Sequence, residues 1–200
     1  MHAPIDRRTE LLGKIVEALL DSGAGDLSLR PLAERVGTSA RLLIYHFESK
    51  EALVAAALAE VRHRIGASLA QRAADIHPTS LRTLLMMAWE WALEEPNQRY
   101  FRLLFEVDGL SMFDRITFSR EVRAANSAVW IALIDKAALR LSEGGKTFSV
   151  HAVLIRGAFT GLLQEFLTTG DRENTTAALG ALIDLLSGTA PAASQQGYRS

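Results

Sequence analysis

The sequence predicts an all-α protein: an N-terminal three-helix helix-turn-helix domain followed by a larger helical domain. Three observations carry that prediction. Apolar residues recur at spacings of three and four through nearly every segment, which is the signature of one buried helix face. Gly, Pro and capping residues interrupt this pattern at intervals that suit helix ends. Strand-like alternation and an internal repeat of useful length are both absent.

Composition bounds the rest. Hydrophobic residues make up 48% and charged residues 22% of 200 residues, as in ordinary globular chains, and this length can enclose one sizeable core or a small domain joined to a larger one. With no cysteine, disulfides, zinc fingers and thiol nucleophiles are excluded. The opening MHAPIDRRTE lacks the apolar core of a signal peptide, and no apolar run approaches the length of a membrane span. A cytoplasmic protein with no membrane partner is expected. The formal net charge is −1, so no overall basic field announces nucleic acid. Locally the picture differs: no acid lies between Glu34 and Glu48, whereas Arg35, Arg41 and His46 do.

The elements follow in order. Leu11, Leu12, Ile15, Val16, Leu19 and Leu20 form one face of a first helix over 7–21, and SGAGD ends it. Ser28 stands where it can cap a second helix, with Pro31 tolerated in the first turn, whose N–H groups have no intrahelical partner. Gly37 suits the left-handed stop of that helix. Thr38 or Ser39 caps a third helix reaching Phe47, and two short helices joined by a tight Gly turn make a helix-turn-helix unit. From Ser49 a long helix runs to about Ile76, roughly 40 Å at 1.5 Å per residue, and HP ends it. Further helices are expected over 79–94, 96–108, 119–141, 148–168 and 172–187, with breaks at EEPN, DGLSM, SEGGK and TTGD. The domain division falls along the long helix: residues 1–53 form the helix-turn-helix domain, 54–188 the regulatory domain, and 189–200 a disordered tail.

Residues 35–50, RVGTSARLLIYHFESK, are the most specific stretch. Together with Ser-x-Arg-x-Leu-Ala over 28–33, the Gly37 turn and Tyr-His-Phe-x-x-Lys-Glu-x-Leu over 45–53, they make residues 7–58 resemble the DNA-binding domain of the TetR family of transcriptional regulators. The resemblance implies a helix-turn-helix head, a divergent all-helical ligand-binding and dimerisation domain behind it, and double-stranded DNA as partner. The sequence departs from the family at Ile44, where members commonly carry an aromatic residue.

The chemistry of DNA reading can be argued from the residues themselves. A recognition helix places its N-terminal turn at base edges in the major groove, and here that turn offers Thr38, Ser39, Ala40 and Arg41. Arg is the commonest specific reader because two parallel donors match O6 and N7 of guanine. Ser28, Tyr45, His46 and Lys50 suit phosphates, which fix orientation without reading sequence, and Arg30 of the Ser-x-Arg stretch completes the expected DNA-binding set.

Other chemistries find no support. GGKT over 144–147 looks like the end of a phosphate-binding loop, but the required first glycine would fall at Arg140 and no strand precedes it. The five histidines form no i, i+4 pair with a nearby acid, so no metal site is expected. Glu94 and Glu95 diverge on a helix, and no nucleophile elbow or triad order is visible. No catalytic residue and no cofactor are expected, and the chain is read as not an enzyme.

Two features of the second half point to regulation. Aromatic and methionine residues gather between Met86 and Trp130, as in adaptable apolar pockets or in plain cores. Trp89 and Trp91 point about 200° apart at roughly 100° per residue, so their helix is central. The expected ligand pocket comprises Met86, Trp89, Glu90, Phe101, Phe105, Phe113, Asn126, Trp130 and Phe159. Glu90 and Asn126 are polar groups needing partners if buried, such as Arg102, Arg123 or a ligand. Toward the C-terminus, Leu154, Gly157, Ala158, Gly161, Leu162, Leu179, Leu182 and Leu186 form apolar stripes suited to a homodimer interface, which the resemblance implies as a four-helix contact. The function expected is a ligand-responsive repressor that binds a palindromic operator as a homodimer and is released by a small apolar or amphipathic effector. The alternatives are an all-helical small-molecule enzyme, or a DNA-binding protein without an inducer.

Overall fold

The computed structural model describes residues 7–25, 28–116 and 148–186. They form eight helices and no strand: α1 (Arg7–Ser22), α2 (Leu29–Arg35), α3 (Ala40–Phe47), α4 (Lys50–Ile76), α5 (Leu81–Leu93), α6 (Glu95–Met112), α7 (Phe148–Thr169) and α8 (Arg172–Leu186). The helix expected over 119–141, with Asn126 and Trp130, and the tail over 189–200 lie outside the described residues.

The head closes on side chains drawn from four helices. Leu11, Ile15, Val16 and Leu19 of α1 meet Leu32 and Ala33 of α2, Leu43 and Phe47 of α3, and Leu53, Val54 and Ala57 of α4, all buried in one cluster. Helices of seven and eight residues are not stable alone in water, so this shared core is what holds α2 and α3. Burial of each large aliphatic side chain is worth about 1.5–3 kcal/mol.

Local signals set the joints. Gly37 takes φ 71°, and the N–H groups of Thr38 and Gly37 donate to the carbonyls of Ala33 and Glu34 at 2.8 and 3.2 Å. That is the paired Schellman closure, which needs a left-handed residue at this point. Ser39 then caps α3 by accepting from the Leu42 N–H at 3.2 Å, and Ser49 caps α4 by accepting from Ala52 at 3.0 Å. One expected cap is corrected: Ser28 has the extended cap backbone, but its hydroxyl accepts from no first-turn N–H.

α4 leaves the head and runs on against α5 and α6 as one unbroken helix, ending where His77 takes φ 53° just before Pro78. α5 is central, as the opposed tryptophans require. Trp89 and Trp91 are both buried. Trp89 donates its indole N–H to the Thr176 hydroxyl of α8 at 2.8 Å and packs edge-on against Phe159 of α7. Trp91 donates to the Ser68 hydroxyl of α4 at 2.9 Å and packs edge-on against Phe101 of α6. The α5 start is shifted from residue 79 to Leu81, because Ser80 and Thr83 form a reciprocal capping box. α6 runs one turn beyond the expected break at DGLSM, to Met112. Leu110 packs on the core, and this outweighs the low helix propensity of Gly109.

α6 is tied to the head by polar contacts. Glu106 accepts from the backbone N–H groups of Ala24 and Gly25 in the loop after α1, at 2.7 and 2.9 Å. Arg99 pairs with Glu17 at 2.9 Å and Asp21 at 3.4 Å on α1, and Arg64 of α4 pairs with the same Glu17. Three helices thus meet at one carboxylate.

Candidate nucleic-acid interface

Among the described residues, nothing in the head covers one face of α3. Leu43 and Phe47 point inward, whereas Arg41, Leu42, Ile44 and Tyr45 are exposed. Arg41 makes no hydrogen bond or ion pair among the described residues, so its guanidinium fork is open to a partner. Tyr45 is 78% exposed and lies edge-on to the His46 ring at 5.2 Å. The acid-free interval between Glu34 and Glu48 coincides with this helix and its turn, so the local field is positive although the chain as a whole is balanced.

The expected DNA-binding residues divide by position. Ser28 and Arg30 are exposed at the start of α2, and Lys50 is half-buried at the start of α4. Because the Ser28 hydroxyl is not engaged in the cap, it is open to another acceptor or donor. Ser39 is exposed but uses its hydroxyl oxygen on the Leu42 N–H, and Ala40 is half-buried beside it. Thr38 requires a correction: its hydroxyl is buried and has no hydrogen-bond partner, so it faces the interior and is not displayed to a groove. His46 is half-buried, and its backbone carbonyl accepts from Arg8 Nε at 3.2 Å.

Arg8 was not legible as part of this site. Its guanidinium lies 5.0 Å from the centre of the Phe47 ring while bonding to His46, and so it staples the start of α1 to the end of α3 through cation–π and hydrogen-bond contacts. The contact spans 38 positions, beyond the reach of any local pattern. Arg35 does similar work between α2 and α1, donating to the Ser22 hydroxyl and the Ala18 carbonyl.

The expected ligand pocket is only partly gathered. Trp89 and Phe101 are buried against protein, Phe105 and Phe159 are partly buried on the same cluster, and Met86 lines a groove between α5 and α8. That groove has a volume of about 610 Å³ and also meets Arg82, Thr176, Gly180, Ala181 and Leu185. Two members are corrected. Phe113 is 79% exposed just past the end of α6, because the helix continues further than expected and carries it out of the core. Glu90 is at the surface paired with Arg172, so neither Arg102 nor an interior ligand is its partner; Arg102 donates to Gln98 instead. Sequence reasoning missed a charged cluster in this domain. The packing around the Asp108 carboxyl on α6 pushes its pKa up, with Arg156 of α7 and Arg62 of α4 pulling it the other way. Arg156 Nε is buried and has no hydrogen-bond partner.

The expected dimer residues also divide. Leu154 and Gly157 and Gly161 are exposed on one face of α7, with Val153 beside them, and Ala158, Leu162, Leu182 and Leu186 are half-buried. Leu179 is corrected: it is fully buried, with Ile183, between α8 and the rest of the chain. The exposed face of α8 is instead Ala177, Ala178, Ala181 and Leu185.

Among the described residues no group of His, Asp and Glu is placed to hold a metal, and no helix is long and apolar enough to cross a membrane.

Among the described residues, an uncovered α3 on a three-helix head, continued by one long helix, is a helix-turn-helix arrangement. Residues 11–57 match the model of the family described as bacterial regulatory proteins, tetR family. Residues 11–57 thus match the N-terminal DNA-binding domain of that family, and beyond them the likeness is one of fold. Solved structures extend the likeness in fold to 90–95% of the chain. A TetR-family transcriptional regulator from Rhodococcus sp. is 22% identical with a TM-score of 0.70, covering 90% of this chain and 97% of its own. A second Rhodococcus sp. transcriptional regulator is 19% identical with a TM-score of 0.72, covering 91% and 97%. NalD, the secondary repressor of the MexAB-OprM multidrug efflux pump in Pseudomonas aeruginosa, is 20% identical with a TM-score of 0.56, covering 95% and 97%. No curated protein sequence matches the chain. The family and these neighbours are transcriptional regulators, not enzymes.

Proposed function

We propose that this chain is a repressor that binds a palindromic operator as a homodimer in the cytoplasm, and that a small apolar or amphipathic effector releases it. Residues 1–53 serve as the reading head and 54–188 as the regulatory and dimerisation domain. The observation that carries the reading is the exposed, acid-free face of α3 with Arg41 unpaired in its first turn. Arg41 reads a guanine edge from the first turn of α3, with Ala40 small enough to let the backbone approach. Ser28, Arg30, Tyr45, His46 and Lys50 hold phosphates. A twofold pair of heads then meets half-sites about 34–36 Å apart or a multiple of it.

The pairing face is that of Val153, Leu154, Gly157 and Gly161 on α7 with Ala177, Ala181 and Leu185 on α8, where small residues permit close helix approach. The effector has its place in the aromatic-rich body, where Phe105 and Phe159 are partly buried against the core. It releases DNA only by binding more tightly to a dimer whose heads are wrongly spaced, with coupling of about 1–3 kcal/mol. The route runs through α4 and through α6, whose Glu106 and Arg99 grip α1 and its loop. The repressor sense is an analogy from the fold neighbour NalD.

The test begins with an operator selected from random duplex DNA by the full-length protein. Arg41→Ala should weaken binding to it by about 1–3 kcal/mol and flatten the preference at one G·C pair, measured by fluorescence-anisotropy titration at fixed salt. Unchanged affinity and unchanged preference would remove the reading.

A further inference from the structure

The recognition helix carries two aliphatic side chains that the assignments above leave without a role. Three of the nine exposed large hydrophobic side chains among the described residues, Leu42, Ile44 and Tyr45, lie on the eight residues of α3. Leu42 is 47% and Ile44 38% exposed, while Leu43 between them is fully buried. At about 100° per residue, Leu42 and Ile44 stand roughly 80° to either side of the line between Arg41 and Tyr45. They are neither core residues nor part of the head's own packing surface.

We propose that Leu42 and Ile44 read thymine methyl groups, so that each operator half-site places thymines beside the guanine contacted by Arg41. The proposal rests on the DNA-binding reading above. An aliphatic side chain has no donor or acceptor, so it can neither hold a phosphate nor bond a base edge. Among the groups that distinguish one base from another in the major groove, the thymine C5-methyl is the apolar one. Apolar contact there removes both surfaces from water, and an exposed leucine and isoleucine on a face that docks on DNA otherwise only lose favourable solvation of the groove they cover. Ile44 occupies the position where the resemblance leads one to expect an aromatic. The substitution therefore exchanges a side chain that can contact phosphate for one that can only read an apolar group.

The experiment uses the full-length protein and the operator it selects. Each thymine of one half-site is replaced in turn by deoxyuridine, which removes only the methyl, and each cytosine by 5-methylcytosine, which adds the same methyl elsewhere. One or two deoxyuridine positions should weaken binding about fourfold each, the worth of one buried methyl-sized group. At those positions Leu42→Ala or Ile44→Ala should bind thymine and uracil operators equally, while both variants melt like the wild type by circular dichroism. If a specific operator is selected and Arg41→Ala weakens it, but no deoxyuridine matters, or the loss persists unchanged in both variants, this proposal is overturned and the DNA-binding reading stands. If no sequence is selected at all, both fall together.

Discussion

Glu17 shows how a single carboxylate can join three helices. Burial by itself raises its pKa, yet the hydrogen bond from Arg64 and the charges of Arg99 and Arg64 outweigh that and leave it below the ordinary carboxylate value. A lowered folded-state pKa means that the contribution is complete above the unfolded value, about 4.3, and is lost as pH falls through the folded value. The side chain is half-exposed, so the contribution is modest, about 1 kcal/mol at most. Glu17→Gln should therefore lower the melting temperature slightly at pH 7, and the gap to wild type should close as pH falls below the unfolded value of about 4.3. A gap that stays constant over that range in thermal melts would show that the pairing carries no stability. The residue-scale site was unevenly legible. Arg41 and Tyr45 stand out in the sequence because helical spacing places them opposite Leu43 and Phe47. The buried hydroxyl of Thr38 and the long-range staple by Arg8 depend on how helices pack across the head, which spacing along one helix does not encode.

At the scale of elements, the joints obey local chemistry and the exceptions are tertiary. Gly37, Ser39, Ser49 and Ser80 each set a helix end by a mechanism that needs only neighbouring residues. α6 is the exception, since packing of Leu110 carries it past a glycine. Its contact with the head is also invisible to periodicity, because Glu106 meets Ala24 and Gly25 over more than eighty positions. A carboxylate accepting two backbone N–H groups holds that loop in a fixed place, and its removal leaves both donors to water. Glu106→Ala should cost about 1–3 kcal/mol of stability and reduce the effect of an effector on operator affinity. The checks are chemical denaturation, together with operator titrations with and without an effector found by thermal-shift screening of compounds. Undiminished coupling in a folded Glu106→Ala protein would place the route to the head in α4 or in the Arg99 pairs of α6 with α1.

For the whole molecule, the decisive question is how two heads are held at one spacing. In the proposed homodimer, the exposed stripe of α7 and α8 is where a twofold partner would place a residue near its own copy. A charge there faces a like charge, at a cost of several kcal/mol. Leu154→Glu combined with Leu185→Glu should convert a dimer to a monomer in sedimentation equilibrium. Operator affinity should then fall about a hundredfold or more, about 2.7 kcal/mol. A variant that stays dimeric places the interface on another face.

The sequence by itself determined the all-α class, the helix-turn-helix head, its stop at Gly37 and the central place of the α5 tryptophans, because each follows from the 3.6-residue period or from a backbone conformation that few residues adopt. Only the tertiary structure decided which leucines of α8 are core and which are surface, that Leu179 is inside and Leu185 outside, that Glu90 pairs at the surface, and that α6 grips the loop after α1. An apolar stripe on a helix is wider than one contact requires. The side that is buried within the chain is chosen by the neighbouring helices and not by the stripe.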